Sequence, residues 1–123
     1  MTATRVLGIA GLLMACGIVV GALAAHALQK VLEAPQLQSL HTAVNYQLFN
    51  ALGLLVLGVL MRGDDLPALR SVAGLLIAGI VCFSGGIYLM LAGAPRLVGL
   101  VTPIGGVLLI GAWGWFAVAM LRR

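Results

Sequence analysis

A bundle of four transmembrane α-helices is the fold this sequence predicts, and three observations lead to it. The chain of 123 residues is 63% hydrophobic and only 8% charged, against roughly 45–50% and about 25% in an average soluble domain. Seven basic and three acidic side chains cannot clothe a soluble surface of this size. The charges are also segregated. Val6–Gln29, Ala34–Met61, Ser71–Pro95 and Leu97–Leu121 contain no Asp, Glu, Lys or Arg, and each exceeds the roughly 20 apolar residues that cross a hydrocarbon core. Finally, Leu, Ala, Val and Gly run on continuously, as in Gly53–Met61, which excludes the short apolar–polar alternation of an outer-membrane barrel. The expectation is an all-α integral membrane protein with a single transmembrane domain over residues 1–123.

Span 1 is expected over about Val6–His26. Arg5, the apolar run and Ala22-Leu23-Ala24 ahead of Ala25 imitate a signal peptide with its cleavage site, but the run is longer than a signal core, so it is expected to stay as a span. Span 2 covers about Thr42–Met61. In the connection Ala27–His41, Leu37, Leu40 and Val44 recur at helical spacing behind Pro35, with Gln36, Gln38 and Ser39 on other faces. That pattern predicts an amphipathic helix in the membrane interface that runs on into span 2. Gly63-Asp64-Asp65-Leu66-Pro67 is a turn by its chemistry, as is Gly93-Ala94-Pro95-Arg96. They place span 3 over about Ser71–Ala92 and span 4 over about Leu100–Leu121.

The distribution of Lys and Arg sets the expected orientation. Arg5, Arg62, Arg70, Arg122 and Arg123 fall at one membrane face, and only Lys30 and Arg96 at the other, which predicts cytoplasmic termini. The basic residues form no patch, so the net charge of +4 does not indicate a nucleic-acid binder. Cys16 and Cys82 both fall inside spans and read as small buried apolar residues.

Seventeen glycines need a reason. Lipid offers little hydrophobic drive for pairing helices, so close approach of backbones matters. Gly17, Gly21 and Ala25 form a small-residue stripe on span 1. Ala78, Cys82 and Gly86 form another on span 3, and Gly106 and Gly114 share a face of span 4. These stripes are expected to serve packing within the bundle, or a seam between copies.

Neutral polar groups converge at one end of the bundle. His26 closes span 1; His41, Asn45, Tyr46, Gln47 and Asn50 open span 2; Ser84 and Tyr88 lie late in span 3; Thr102 opens span 4. Alternating helix directions bring all of them to the same side of the bilayer. Polar groups in hydrocarbon cost free energy unless paired. The cluster therefore reads as an interhelical hydrogen-bond network, with a pocket for an ion, a metal or a polar lipid headgroup as the alternative. Two histidines with no nearby carboxylate are too few for a metal site. There is no nucleophile–base pair, no carboxylate pair and no phosphate-cradling loop, and no Asp, Glu, Lys or Arg deep in a span of the kind ion-coupled transport uses.

Four segments in order, Gly21-Ala22-Leu23-Ala24-Ala25-His26, Thr42–Leu52, Phe83-Ser84-Gly85-Gly86-Ile87-Tyr88 and Val101-Thr102-Pro103-Ile104-Gly105-Gly106, resemble the YgdD family of small four-span bacterial inner-membrane proteins. The resemblance covers nearly the whole chain. It implies residence in the inner membrane with no assigned activity; no cofactor is expected. The combined expectation is a non-enzymatic accessory or assembly protein whose partners are the lipid bilayer, copies of itself or other membrane proteins. The alternative is a small transporter or channel subunit, or a lipid or ion binder, that uses the polar cluster.

Overall fold

The computed structural model describes residues 1–123. Four long helices carry the chain: α1 (Ala3–Ala25), α2 (Ala34–Gly63), α3 (Pro67–Leu91) and α4 (Val101–Leu121). All four are long and apolar enough to cross a membrane. Their ends follow local chemistry. The Thr2 hydroxyl accepts from the Arg5 N–H at 3.3 Å and caps α1. Before α2, the Gln36 side-chain oxygen accepts from the Glu33 N–H at 3.0 Å, half of a capping box, and Pro35 sits in the first turn. Pro67 opens α3. Beyond α3 the chain reverses at Gly93, whose φ of +97° is a left-handed conformation that suits glycine alone.

The interfacial segment expected ahead of span 2 is the beginning of α2 itself. This helix runs unbroken for 30 residues, about 45 Å at 1.5 Å per residue, well beyond the ~30 Å hydrocarbon thickness. Nothing between Pro35 and Gly63 interrupts its ladder, so its first turns extend the span. The separate element in that connection is a short 3₁₀ turn at Leu28–Lys30; a second, Arg96–Leu100, leads into α4.

The helices pack in chain order, α1 on α2, α2 on α3 and α3 on α4. Helices α2 and α3 each bury eight residues, whereas α1 buries four and α4 three. The inner pair is therefore α2 and α3, with α1 and α4 as flanks. Along its length the bundle has two storeys. Near the termini lies an apolar core of Val6, Ala10, Leu54, Leu57, Leu69, Val72, Leu76, Ile80, Leu109 and Ala112. Ion pairs Arg123–Asp64 and Arg70–Asp65 lie on that end, and the first ties the C-terminus to the α2–α3 turn. The other storey is held by small residues and polar groups.

Close approach uses part of the predicted stripes, Gly17, Gly21 and Gly86, together with small residues outside them. Gly17 and Gly21 do serve the α1–α2 seam. A Cβ on Gly17 would lie 2.7 Å from Leu48, and one on Gly21 would lie 3.3 Å from Val44. Ala25, however, is exposed, and its neighbour Ala24 is buried. On the α3–α4 seam the contacts come from Gly79, which would meet Leu109 at 2.7 Å, from Gly86 against Thr102, and from Gly105. A Cβ on Gly105 would collide with backbone atoms of Cys82 and Phe83. Ala78 is exposed, Gly106 makes only ordinary contact with the Phe83 ring at 3.7 Å, and Gly114 meets nothing within 4 Å. The reason is helical geometry. Steps of four residues rotate a stripe by about 40° each, so a three-member stripe leaves a straight seam before it ends. Cys82 is half-buried, and Cys16 faces outward rather than inward.

Candidate functional site

Five side chains placed in the polar cluster are drawn into ties between helices, four of them around Gln47 and Ser84. Gln47 is 3% exposed and connects three helices at once. Its Nε2 donates to the Leu13 carbonyl of α1 at 2.8 Å, and its Oε1 accepts from the Tyr88 hydroxyl of α3 at 2.7 Å. Ser84, buried on α3, donates to the Ala43 carbonyl of α2 at 2.7 Å. Thr102 of α4 donates to the Phe83 carbonyl at 3.4 Å, a longer bond at the position where Gly86 lets the two backbones meet. No buried side-chain nitrogen or oxygen is left without a partner, as a low-dielectric setting demands.

A second centre lies toward the middle of the bundle. The Trp113 indole N–H donates to Asn50 Oδ1 at 2.8 Å, and Asn50 Nδ2 donates to the Tyr46 carbonyl one turn earlier at 2.8 Å. This is the polar bond between α2 and α4. The Trp113 ring lies over Gly53, where a Cβ would come within 2.5 Å of it. Tyr46 stacks on Phe83 with ring centroids 4.8 Å apart and planes 16° from parallel.

The remaining predicted members stay outside. His26 is the exposed residue that ends α1, and His41 and Asn45 are exposed on α2; none makes a side-chain hydrogen bond within the chain. The network thus comprises Gln47, Tyr88, Ser84, Thr102, Asn50 and the Tyr46 backbone, with the histidines apart from it. Sequence reasoning missed Trp113 as a donor and Phe83 as a stacking partner. The signal for Trp113 was its depth: an indole N–H in the middle of a span needs an acceptor.

Two crevices adjoin these ties. One, of about 340 Å³, lies beside Tyr88 between the end of α1 and the start of α2, and is walled by Val20, Leu23, Leu28, Leu40 and Leu91. The other, of about 600 Å³, opens between α2 and α4 along Tyr46, Asn50, Phe83, Leu109 and Trp113. The first is apolar throughout. In the second, the Asn50 and Trp113 polar atoms already satisfy each other. Chemically, the arrangement fixes the register of four helices and leaves room for hydrocarbon beside them.

Comparison with known proteins follows the same residues. A family model described as a protein of unknown function (DUF423) matches residues 20–106, the stretch that holds all the interhelical ties except Leu13 and Trp113. A UPF0382 membrane protein of Staphylococcus saprophyticus is 40% identical over 108 residues, covering 88% of each chain. The UPF0382 membrane protein YwdK of Bacillus subtilis is 39% identical over 120 residues, covering 95% of this chain and 94% of its own. The UPF0382 inner membrane protein YgdD of Escherichia coli is 32% identical over 105 residues, covering 85% and 80%. No solved structure matches.

Proposed function

Because the chain belongs to the DUF423 family of small membrane proteins, and its buried polar groups are spent on holding its own helices, we propose that it is a non-enzymatic accessory or assembly component of the bacterial inner membrane. The observation that carries this reading is the fully paired network around Gln47. A transport or ion-binding site needs donors or acceptors free to exchange partners with the cargo. Here Gln47, Ser84 and Tyr88 are committed to neighbouring helices. What the protein offers to others is its apolar exterior, so its partners are met within the bilayer, through helix faces.

The reading includes an orientation. Arg5, Arg62, Arg70, Arg122 and Arg123 lie at the end where the termini meet the α2–α3 turn, against Lys30 and Arg96 at the other end, so that end faces the cytoplasm. A C-terminal reporter that is active only outside the cytoplasm will stay silent; an active one reverses the assignment.

One observation favours a second reading, that of a lipid-binding protein. The crevice beside Tyr88 is lined by hydrophobic residues alone, which suits an acyl chain and not an ion. Native mass spectrometry of the protein released with its surrounding lipid separates the two. A discrete assembly with copies or with another membrane protein supports the accessory role. A bare monomer that retains one defined lipid refutes it and transfers the function to the crevice.

A further inference from the structure

We propose that a second copy of this chain packs against the outer face of α2, with Asn45 of each copy hydrogen-bonded to Asn45 of the other. The inference rests on the assembly reading above and names the partner.

The face is defined by spacing. Asn45, Phe49, Leu52, Val56 and Val59 recur at alternating steps of four and three residues, and all five are exposed, Phe49 by 69%. This average of 3.5 residues is the repeat that keeps one stripe facing a partner helix in left-handed packing. The opposite side of the same helix, with Gln47, Ala51, Leu54 and Gly58, is buried inside the bundle. So α2 has an inner face used for its own fold and an outer heptad seam that nothing in the chain covers.

Apolar exposure alone says little in a membrane, because acyl chains solvate it well. The outer faces of α1 and α4, with Ile18, Val107 and Ile110, need no partner for that reason. Asn45 is different. It follows Val44, which lies opposite Gly21, and Gly21 is itself more than one turn inside the end of α1. Measured from Gly63 at the other end of α2, Asn45 lies about 27 Å along the axis at 1.5 Å per residue, within the ~30 Å hydrocarbon. Its carboxamide points outward at that depth and makes no hydrogen bond in the chain.

The chemistry of the missing partner follows. A carboxamide is donor and acceptor together, so it is complementary to itself across a two-fold axis. Two copies inserted in the same orientation have their Asn45 residues at the same depth, so a two-fold axis along the membrane normal sets one opposite the other. A single polar residue in an otherwise apolar heptad seam also fixes register and partner number.

Cross-linking in native membranes tests this. In a Cys16→Ala/Cys82→Ala background, Phe49→Cys, Leu52→Cys and Val56→Cys are each expected to give an oxidised dimer of twice the chain's mass, while Ile18→Cys and Ile110→Cys do not. Dimer association in liposomes, read by energy transfer between labelled copies, is expected to weaken about threefold to thirtyfold on Asn45→Leu, the range for one interhelical hydrogen bond in lipid. Asn45→Gln keeps the amide and is expected to recover part of that loss. An unchanged thermal transition of Asn45→Leu shows that the fold itself is intact. Absence of the three cross-links, equal cross-linking at Ile110→Cys, or unaltered association on Asn45→Leu overturns the proposal. Cross-linking of the α2 face to a protein of different mass overturns the second copy but spares the assembly role. A monomer holding one defined lipid overturns both.

Discussion

Removing the Tyr88 hydroxyl and the Gln47 carboxamide, separately and together, tests whether the central tie works as a unit. Tyr88→Phe leaves Gln47 Oε1 without its donor at a site only 3% exposed. An orphaned acceptor of this kind costs about 1–3 kcal/mol. Gln47→Leu breaks two bonds and orphans the Tyr88 hydroxyl. The Leu13 carbonyl suffers least, because as a helix-interior carbonyl it already has a donor from the ladder of α1. With each interhelical bond in lipid contributing about 0.6–1.7 kcal/mol and the orphan penalty added, this variant is expected to lose about 2–6 kcal/mol. The double variant has no orphan on either side. Both orphan penalties vanish together, so it should lose less than the sum of the single variants by about 2–6 kcal/mol. Equilibrium unfolding in mixed micelles of rising SDS content, followed by the fluorescence of Trp113 and Trp115, measures all three. Costs that add to within about 0.5 kcal/mol would show that the two side chains act independently, and the account of a three-helix tie would fail.

Three further outcomes follow from the packing. Gly105→Ala is expected to destabilise by about 1–3 kcal/mol or more, because the new Cβ meets backbone of Cys82 and Phe83 that no rotamer change can move aside; Gly114→Ala, with nothing within 4 Å, should be neutral or gain up to about 1 kcal/mol, and unfolding midpoints that reverse this order refute the assigned α3–α4 seam. Asn50→Leu strands the Trp113 indole N–H and is expected to cost about 1–3 kcal/mol with a change in tryptophan emission, whereas Asn50→His, whose neutral ring nitrogen can accept the same bond, should restore part of both. Asp64→Asn removes an exposed ion pair to Arg123, so it should change stability by less than about 1 kcal/mol while speeding amide exchange over the last turn of α4; an equal rate there would mean the pair does not hold the C-terminus.

The spans were legible because charge is excluded from hydrocarbon wherever it can be, and the turns because Gly63, Pro67 and Gly93 have few alternatives. Which face of each helix turns inward was much harder to read. In water, burial imprints an apolar stripe on a helix; in lipid, inside and outside are both apolar and the stripe fades. Hence Ala78 and Gly114 looked as suitable for a seam as Gly79 and Gly105, and Cys16 looked buried when it faces outward. The beginning of α2 was legible as a helix that runs on into span 2, although its polar residues resemble those of a helix lying flat. In the polar cluster, depth was the deciding quantity. Gln47, Ser84 and Asn50 lie deep enough to need protein partners, and they have them. His26 and His41, nearer the membrane surface, have access to water and headgroups and stay outside the network.

The same depth argument explains the two-storey construction. Near the termini, Leu54, Leu57, Leu69 and Leu76 fill the space between helices, and charged groups at the membrane face complete the end. Apolar filling alone does not choose a register in a medium as apolar as the side chains. The choice falls to the other storey, where sliding α3 along α2 by one residue would break the bonds of Ser84 to Ala43 and Tyr88 to Gln47 together. Two bonds lost with their orphan penalties make such a slip costly even though each bond is modest. The glycines supply the complementary condition: Gly17 and Gly86 bring the backbones near enough for short side chains to reach across. Polar groups thus give the bundle its register, and small residues let them reach one another. An outward-facing polar group inside the hydrocarbon obeys the same rule, which is why Asn45 calls for a partner outside the chain.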